Sequence, residues 1–456
     1  MSGTDGLGTV RTPRAIMRFA APSIVMMVFI SSYSVVDGVF VSWFMGTDAL
    51  AALNITAPAF SAFGAIAFMF ETGGCAYVAT LMGKGMQDKA NRSMFQVFAA
   101  AVTVGAVLCI TALLLAEPIL RMLGADDRLL NHAMDYWIVL APFVPIIMVE
   151  YVGIQFMVAA GRPRLALAAS VINGCLNISL DWLFMGPFGW GMQGAALASG
   201  IGSSSAAAIS LWVLSRRSTG LRLVRSRVTA EVIVPTCTNG VSELASNLSA
   251  AVTVFLYNLV MMRSIGPNGV SAITIISYVE FLAVAAVSGY CMGVAPVMSF
   301  FSGARDLEGM RALYRFSMLF SVLFSAAVVL FMEMFAGAVV GVFARDSQEV
   351  RDIATDGARI YSWAFLMMGI NIYASSLFTA LSNGPVSAII AGIRGIVVLA
   401  PMIFLLPALF GIGAIWYAVV VTEAVTLAIS VAFMVRLGPS YGFLSPSLGA
   451  AHTDLS

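Results

Sequence analysis

Long apolar stretches separated by short basic connections constrain this chain more than any other feature. It carries 24 Lys and Arg, and nearly all of them sit at the ends of about twelve segments long enough to cross a bilayer. They favour alternate connections. One side of the inferred membrane collects Arg11, Arg14, Arg18, Lys84, Lys89, Arg92, Arg162, Arg164, Arg216, Arg217, Arg222, Arg225, Arg227, Arg305, Arg311, Arg315 and Arg436. The other side receives Arg121, Arg128, Arg263, Arg345, Arg351 and Arg359, and Arg394 alone falls inside a span. Cytoplasmic connections carry an excess of Lys and Arg. The asymmetry therefore predicts both termini in the cytoplasm and an even number of spans.

Composition narrows the class. The chain is 60% hydrophobic and 10% charged, with a mean hydropathy of +0.94, which excludes an ordinary soluble domain. Backbone groups in lipid must be satisfied within their own segment, so the spans are expected to be helices. The short alternating segments of a β-barrel are absent. A net charge of +1 leaves no footprint for nucleic acid. Cys75, Cys109, Cys175, Cys237 and Cys291 lie in or beside spans without metal-ligand spacing, and read as small buried hydrophobes. His132, in an expected outer loop, and His452, in the tail, have no triad or metal partner. No cleavable leader is evident. No Walker A motif is present, so an ion gradient rather than ATP is expected to supply the energy, and no cofactor and no enzymatic chemistry are expected.

The spans are expected near 15–42, 49–82, 93–116, 134–159, 163–186, 190–214, 232–262, 270–301, 313–335, 356–381, 386–408 and 412–436. The second, seventh and eighth exceed what a bilayer needs and should tilt or project. The basic segment near the midpoint divides the chain into an N-terminal six-helix lobe at 1–214, a cytoplasmic linker at 215–231, a C-terminal six-helix lobe at 232–436 and a tail at 437–456. The halves repeat. Gly46-Thr47-Asp48-Ala49-Leu50 recurs as Gly266-Pro267-Asn268-Gly269-Val270, Gly83 through Arg92 recurs as Gly303 through Arg311, and Phe188-Gly189-Trp190-Gly191 recurs as Phe410-Gly411-Ile412-Gly413. Six spans per repeat give both halves one orientation, and transporters built from such parallel repeats bind cargo between the halves.

Ionisable groups inside a membrane are costly and usually face a cavity or a partner. The intramembrane acids here are Asp37, Glu71, Glu150, Asp181, Glu243, Glu280 and Glu423. This acidic excess suits a cation-handling interior. In the fifth span Ser170, Asn173, Asn177 and Asp181 share one helical face, a pattern that also serves as helix-to-helix glue. Asp37 and Asp181 lie about five residues from the outer ends of their spans, and Asn177 and Ser199 about nine, which places all four in a band roughly 6 Å thick. Two carboxylates, an amide oxygen and a hydroxyl form an ion-coupling site suited to Na⁺, since hard cations favour oxygen ligands. Two carboxyls side by side also resist carrying two charges at once, which suits the same place to H⁺. The repeat supplies an internal control: Asn177 corresponds to Leu399 and Asp181 to Ile403, so the site is expected in the N-terminal lobe alone.

The C-terminal half has its own stripe. Asn239, Glu243 and Asn247 recur at helical spacing in the seventh span, Glu280 stands beside Tyr278 and Ser277 in the eighth, and the tenth offers Asn371, Tyr373 and Ser375. Glu243, Glu280, Asn247, Tyr278 and Asn371 are read as lining a substrate cavity whose acids attract cationic cargo. The alternative is a structural pairing of Glu243 or Glu280 with Arg394. The many Met and Phe could line an adaptable cavity, although none is singled out. Glu71, Glu150 and Glu423 are assigned to packing or gating.

Val36-Asp37-Gly38-Val39-Phe40-Val41, Gly161-Arg162-Pro163-Arg164, Asn177-Ile178-Ser179-Leu180-Asp181, Gly194-Ala195-Ala196-Leu197-Ala198 and Ser242-Glu243 together resemble the multidrug and toxic compound extrusion (MATE) transporters, in their DinF-like exporter branch. The resemblance spans Arg14 to Arg436. It implies an all-α integral membrane protein of twelve transmembrane helices in two pseudo-symmetric six-helix lobes. It also implies export of hydrophobic, cationic organic compounds in exchange for Na⁺ or H⁺. A monomer in the plasma (inner) membrane is expected, with membrane lipids and the small-molecule cargo as partners and no nucleic acid. The family's helix-one aspartate, helix-five Asn-x-x-x-Asp pair and helix-six hydroxyl match Asp37, Asn177, Asp181 and Ser199, where threonine is commoner than serine. Pro22 matches a proline at which helix one can bend, or else marks only a helix start. Glu243 resembles a helix-seven glutamate of another branch whose helix-ten aspartate is missing here. A flippase of a lipid-linked saccharide shares the fold but would want several bases in the cleft. A channel or receptor is the remaining reading.

Overall fold

The computed structural model describes residues 3–216, 220–344 and 347–444, and every regular element among them is a helix. Arg217, Arg345, His452 and the tail beyond Leu444 lie outside the described residues. Twelve helices are long and apolar enough to cross a membrane: α1 (Pro13–Gly46), α2 (Asp48–Gly83), α3 (Gln87–Leu114), α4 (Asp127–Ala159), α5 (Pro163–Met185), α6 (Gly191–Ser215), α7 (Ala230–Ser264), α8 (Pro267–Ala304), α9 (Leu307–Phe343), α10 (Gln348–Ala380), α11 (Gly384–Phe410) and α12 (Ile412–Tyr441). Polar caps start several of them. Thr12 accepts from Ala15 N at 3.3 Å, Asp126 from Leu129 N at 2.9 Å and Asp306 from Gly309 N at 3.0 Å, each satisfying a donor the helix leaves open.

Three sequence expectations need correcting here. α4 begins at Asp127, so His132 lies inside a helix rather than in a loop. α9 runs on to Phe343, well past residue 335, because the apolar run Val339–Phe343 continues the helix. Pro22 sits within the first helix and does not start it.

The repeat is visible in the backbone. Gly46 and Gly266 both take positive φ (83° and 86°), as do Gly85 and Arg305, Gly161 and Ser382, and Gly189 and Gly411. Four of the turns that end helices thus place a positive φ at matching positions in both halves. At Gly46 the chain breaks helical geometry (φ 83°, ψ −173°), which separates α1 from α2. Glycine tolerates this region without the Cβ clash that other residues suffer.

The lobes share one apolar core and keep three private ones. The shared core joins Met26, Phe70, Val78 and Leu81 of α1 and α2 to Val294, Val297 and Phe301 of α8, and it includes Leu221 of the basic linker. Toward the opposite end, Val41, Tyr136, Met185 and Met192 form a core within the N-terminal lobe. Ala112, Leu120 and Trp137 form another there. Tyr257, Met261, Ile273, Met332 and Trp416 form one within the C-terminal lobe. The lobes are therefore fused at the basic end and packed separately at the other, the end facing away from the basic loops.

Candidate functional site

In the N-terminal lobe α5 buries its whole polar stripe, Ser170, Asn173, Asn177 and Asp181. Asp181 is 0% exposed and Asn177 3% exposed. The Asn177 amide donates to Ser199 Oγ on α6 at 3.1 Å. The carboxyls of Asp37 and Asp181 come within reach of a shared proton. Both Asp181 oxygens, Asp37 Oδ1 and Asn177 Oδ1 are buried without a donor. Buried acceptors left unpaired cost on the order of 1–3 kcal/mol each, so this pocket of oxygens is complementary to a cation or a proton. Tyr136 of α4 is buried beside it, with Ser199, Asp37 and Asp181 as its electrostatic neighbours.

The polar track continues along α5. Asn173 donates to Glu150 Oε1 of α4 at 2.5 Å, and Ser203 of α6 also reaches that carboxylate. Gly202 makes room for this contact, since a Cβ there would meet Asn173 Oδ1 at 2.4 Å. Tyr33 of α1 lies beside both Glu150 and Asp37. Glu71 of α2 is 2% exposed and faces Glu150 and, across the lobe boundary, Glu243. Glu150, Glu71 and Glu243 are thus electrostatic neighbours, and Tyr33 neighbours both Glu150 and Asp37.

The C-terminal lobe holds a different arrangement. Leu399 and Ile403, at the positions matching Asn177 and Asp181, pack into its apolar core. Arg394 Nε donates to Glu423 Oε1 at 2.6 Å, so its ion-pair partner is Glu423 rather than Glu243 or Glu280. Asn371 is 0% exposed and its amide donates to Glu423 Oε2 at 2.7 Å and to Glu423 O at 3.0 Å. Tyr361 donates to Glu280 Oε2 at 2.6 Å. Arg394 lies on a π-helical turn, Ile393–Val397, a local widening that often marks a functional place. Asn247 donates to Glu243 O of its own helix at 2.8 Å. Tyr278 is 46% exposed and stacks on Phe343 of α9 at 5.8 Å, beside a surface recess of about 420 Å³. The structure therefore gathers Glu280, Tyr361, Arg394, Glu423 and Asn371 and leaves Glu243, Asn247 and Tyr278 outside that group.

Sequence reasoning missed Tyr136, Tyr361 and the role of Glu423. A phenol in an apolar helix carries no charge to flag it. Tyr136 does lie about as far into α4 as Ser199 lies into α6, and extending the depth argument from charges to hydroxyls finds it. The Arg394–Glu423 pair joins two helices with no sequence spacing to link them.

Comparison with known proteins agrees with the two-lobe reading. The profile of the MatE family matches residues 22–183 and again 244–405. The multidrug export protein MepA of Staphylococcus saprophyticus is 22% identical over 419 residues, covering 90% of this chain and 91% of MepA. MepA of a Staphylococcus aureus strain is 22% identical over 430 residues, covering 91% and 92%. Among solved structures, a variant of the Vibrio cholerae MATE transporter VcmN superposes with a TM-score of 0.89 at 20% identity, covering 97% of this chain and 100% of that one. A MOP superfamily transporter from Pyrococcus furiosus gives 0.88 at 23% identity, covering 96% and 98%.

Proposed function

The chain belongs to the MatE family, and on that premise we propose that it is a secondary active exporter, expelling hydrophobic cationic compounds in exchange for Na⁺ or H⁺. It is a transporter and not an enzyme, and its similarity to MepA over nine-tenths of both chains supports multidrug compounds as the cargo. The observation that carries the coupling site is the set of buried oxygens on Asp37, Asn177 and Asp181 that no donor reaches. A cation or proton entering from the separately packed end neutralises the paired carboxyls. Asn177 and Ser199 hold the oxygens in place, and the Glu150–Glu71 track connects that change of charge to the lobe seam. Lobes 1–214 and 232–436 then rock about the 215–231 linker. With the basic loops cytoplasmic, the fused end is the cytoplasmic one and the separately packed end faces outward, ready to release cargo and accept the ion.

Glu243 and Glu280 contribute negative potential to the cleft side of the C-terminal lobe. The saccharide-flippase reading loses its one deep base, since Arg394 is already bound to Glu423.

The test is energised export in proteoliposomes, with Na⁺ and H⁺ gradients imposed separately. Asp37→Asn and Asp181→Asn are each expected to abolish uphill transport while reaching wild-type levels in the membrane. Wild-type rates in both variants would reject the site.

A further inference from the structure

Residues 220–229, which join the lobes, form neither helix nor strand, yet they are clipped firmly to α3. Asn91 Oδ1 accepts from Arg222 N at 2.9 Å. Gln96 Oε1 accepts from Thr229 N and from Thr229 Oγ1, both at 2.9 Å, and Gln96 Nε2 donates to Ser226 Oγ at 3.3 Å. Gln87 donates to Gly220 O. Asn91 and Gln96 are buried, at 8% and 6% exposure, and Leu221 is 0% exposed. Amides buried in this way fix the path of the linker and with it the stems of its arginines.

Between the linker and α3 lies a recess of about 640 Å³ lined by Arg92, Val224, Arg225, Ser226 and Arg227. None of these three arginines makes an ion pair among the described residues. The nearby Glu231 is already held by Lys89 at 2.6 Å. Three like charges around one recess repel each other, so the arrangement is complementary to an anion from outside. Guanidinium forks match phosphate oxygens better than any other common anion-binding side chain.

The surroundings identify the source of that phosphate. At the end of α6, just before the linker, Trp212 is 56% exposed and Arg216 lies over its ring at 3.5 Å. Exposed tryptophan is typical of the headgroup level of a membrane. Val228 of the linker and Val234 of α7 add exposed apolar side chains close by in the chain, at 51% and 56% exposure. A headgroup seated in the recess would leave acyl chains a wall to lie against. The general excess of positive charge on this side explains why arginines are here. It does not explain why buried amides gather three of them around one recess.

We propose that this recess binds the phosphodiester of an anionic phospholipid headgroup. The site requires only that the protein sits in a membrane, and it stands whether or not the export reading holds.

Native mass spectrometry of the full-length protein in detergent, titrated with dioleoylphosphatidylglycerol, tests it. The variant Arg92→Gln/Arg225→Gln/Arg227→Gln is compared with Arg14→Gln/Arg18→Gln/Arg436→Gln, which removes equal charge from the same side. The first variant is expected to weaken the tightest lipid-binding event by about fivefold per arginine, on the order of 100-fold in all. The second should leave that event unchanged. An unaltered unfolding midpoint in lipid-free detergent would show that the fold is intact. Equal weakening in both variants would mean diffuse charge only, and would overturn the site. Displacement of the bound lipid by millimolar glycerol 3-phosphate would overturn the lipid in favour of a free phosphate.

Discussion

Gly83 and Gly303 stand in reciprocal contact across the pseudo-twofold axis. A Cβ on Gly83 would meet Phe300 O of α8 at 2.0 Å, and one on Gly303 would meet Thr80 O of α2 at 2.1 Å. The repeat that relates the two glycines also relates their partners, so the axis passes through this seam. The seam brings backbone against backbone at the fused end of the molecule. Gly83→Ala or Gly303→Ala should force the helices apart there, at a cost of about 1–3 kcal/mol for overpacking. Spin labels near the ends of α2 and α8 should report a longer distance in either variant. An unchanged distance would show that the seam does not hold the closed end.

The contact between Asn177 and Ser199 makes a second prediction. Ser199→Ala leaves the buried Asn177 amide without its acceptor, at about 1–3 kcal/mol. Coupled transport should fall sharply, while Ser199→Thr should retain it. Tyr136→Phe, which removes the other hydroxyl at this place, should lower coupled transport without preventing assembly. Equal activity in Ser199→Ala and Ser199→Thr would argue against a role for the hydroxyl.

Arg394 and Glu423 are a mostly buried pair, with side chains 26% and 3% exposed. Arg394→Met strands a carboxylate and should destabilise by about 3–5 kcal/mol. The double change Arg394→Met/Glu423→Met should recover most of that loss. Thermal unfolding in detergent reads both effects. If the double variant is no more stable than the single, the pair is not what holds α11 to α12.

Selectivity separates the roles of the C-terminal acids. Glu280→Gln and Glu243→Gln should weaken export of a monovalent cationic dye more than that of a neutral compound of like size, because a nearby carboxylate attracts the cation at reduced dielectric. Matched expression is required for the comparison. Equal losses for both compounds would leave these acids a structural role only.

Orientation is open to direct labelling. In a background without the five native cysteines, Asp126→Cys should react with an impermeant thiol reagent applied outside, and Arg216→Cys should not. The reverse pattern would put the fused end outside.

Apolar length and alternating basic connections were enough to read twelve spanning helices, because lipid forces the backbone to satisfy itself within each segment and charge is expensive to bury, while turn motifs recurring in order along the chain revealed the repeat. The stripe from Ser170 to Asp181 was legible for the same reason: a helix writes its face into the sequence at a fixed period. The alignment of Asp37 with it followed from depth alone. Tertiary structure decided everything that depends on one helix meeting another. It gave Arg394 to Glu423, brought Tyr136 to Ser199 and Tyr361 to Glu280, fused the lobes at Gly83 and Gly303, and gathered Arg92 with Arg225 and Arg227. Side-chain period is a property of one helix, whereas partnership depends on how two helices are rotated and how closely they approach, and packing across the whole molecule sets both.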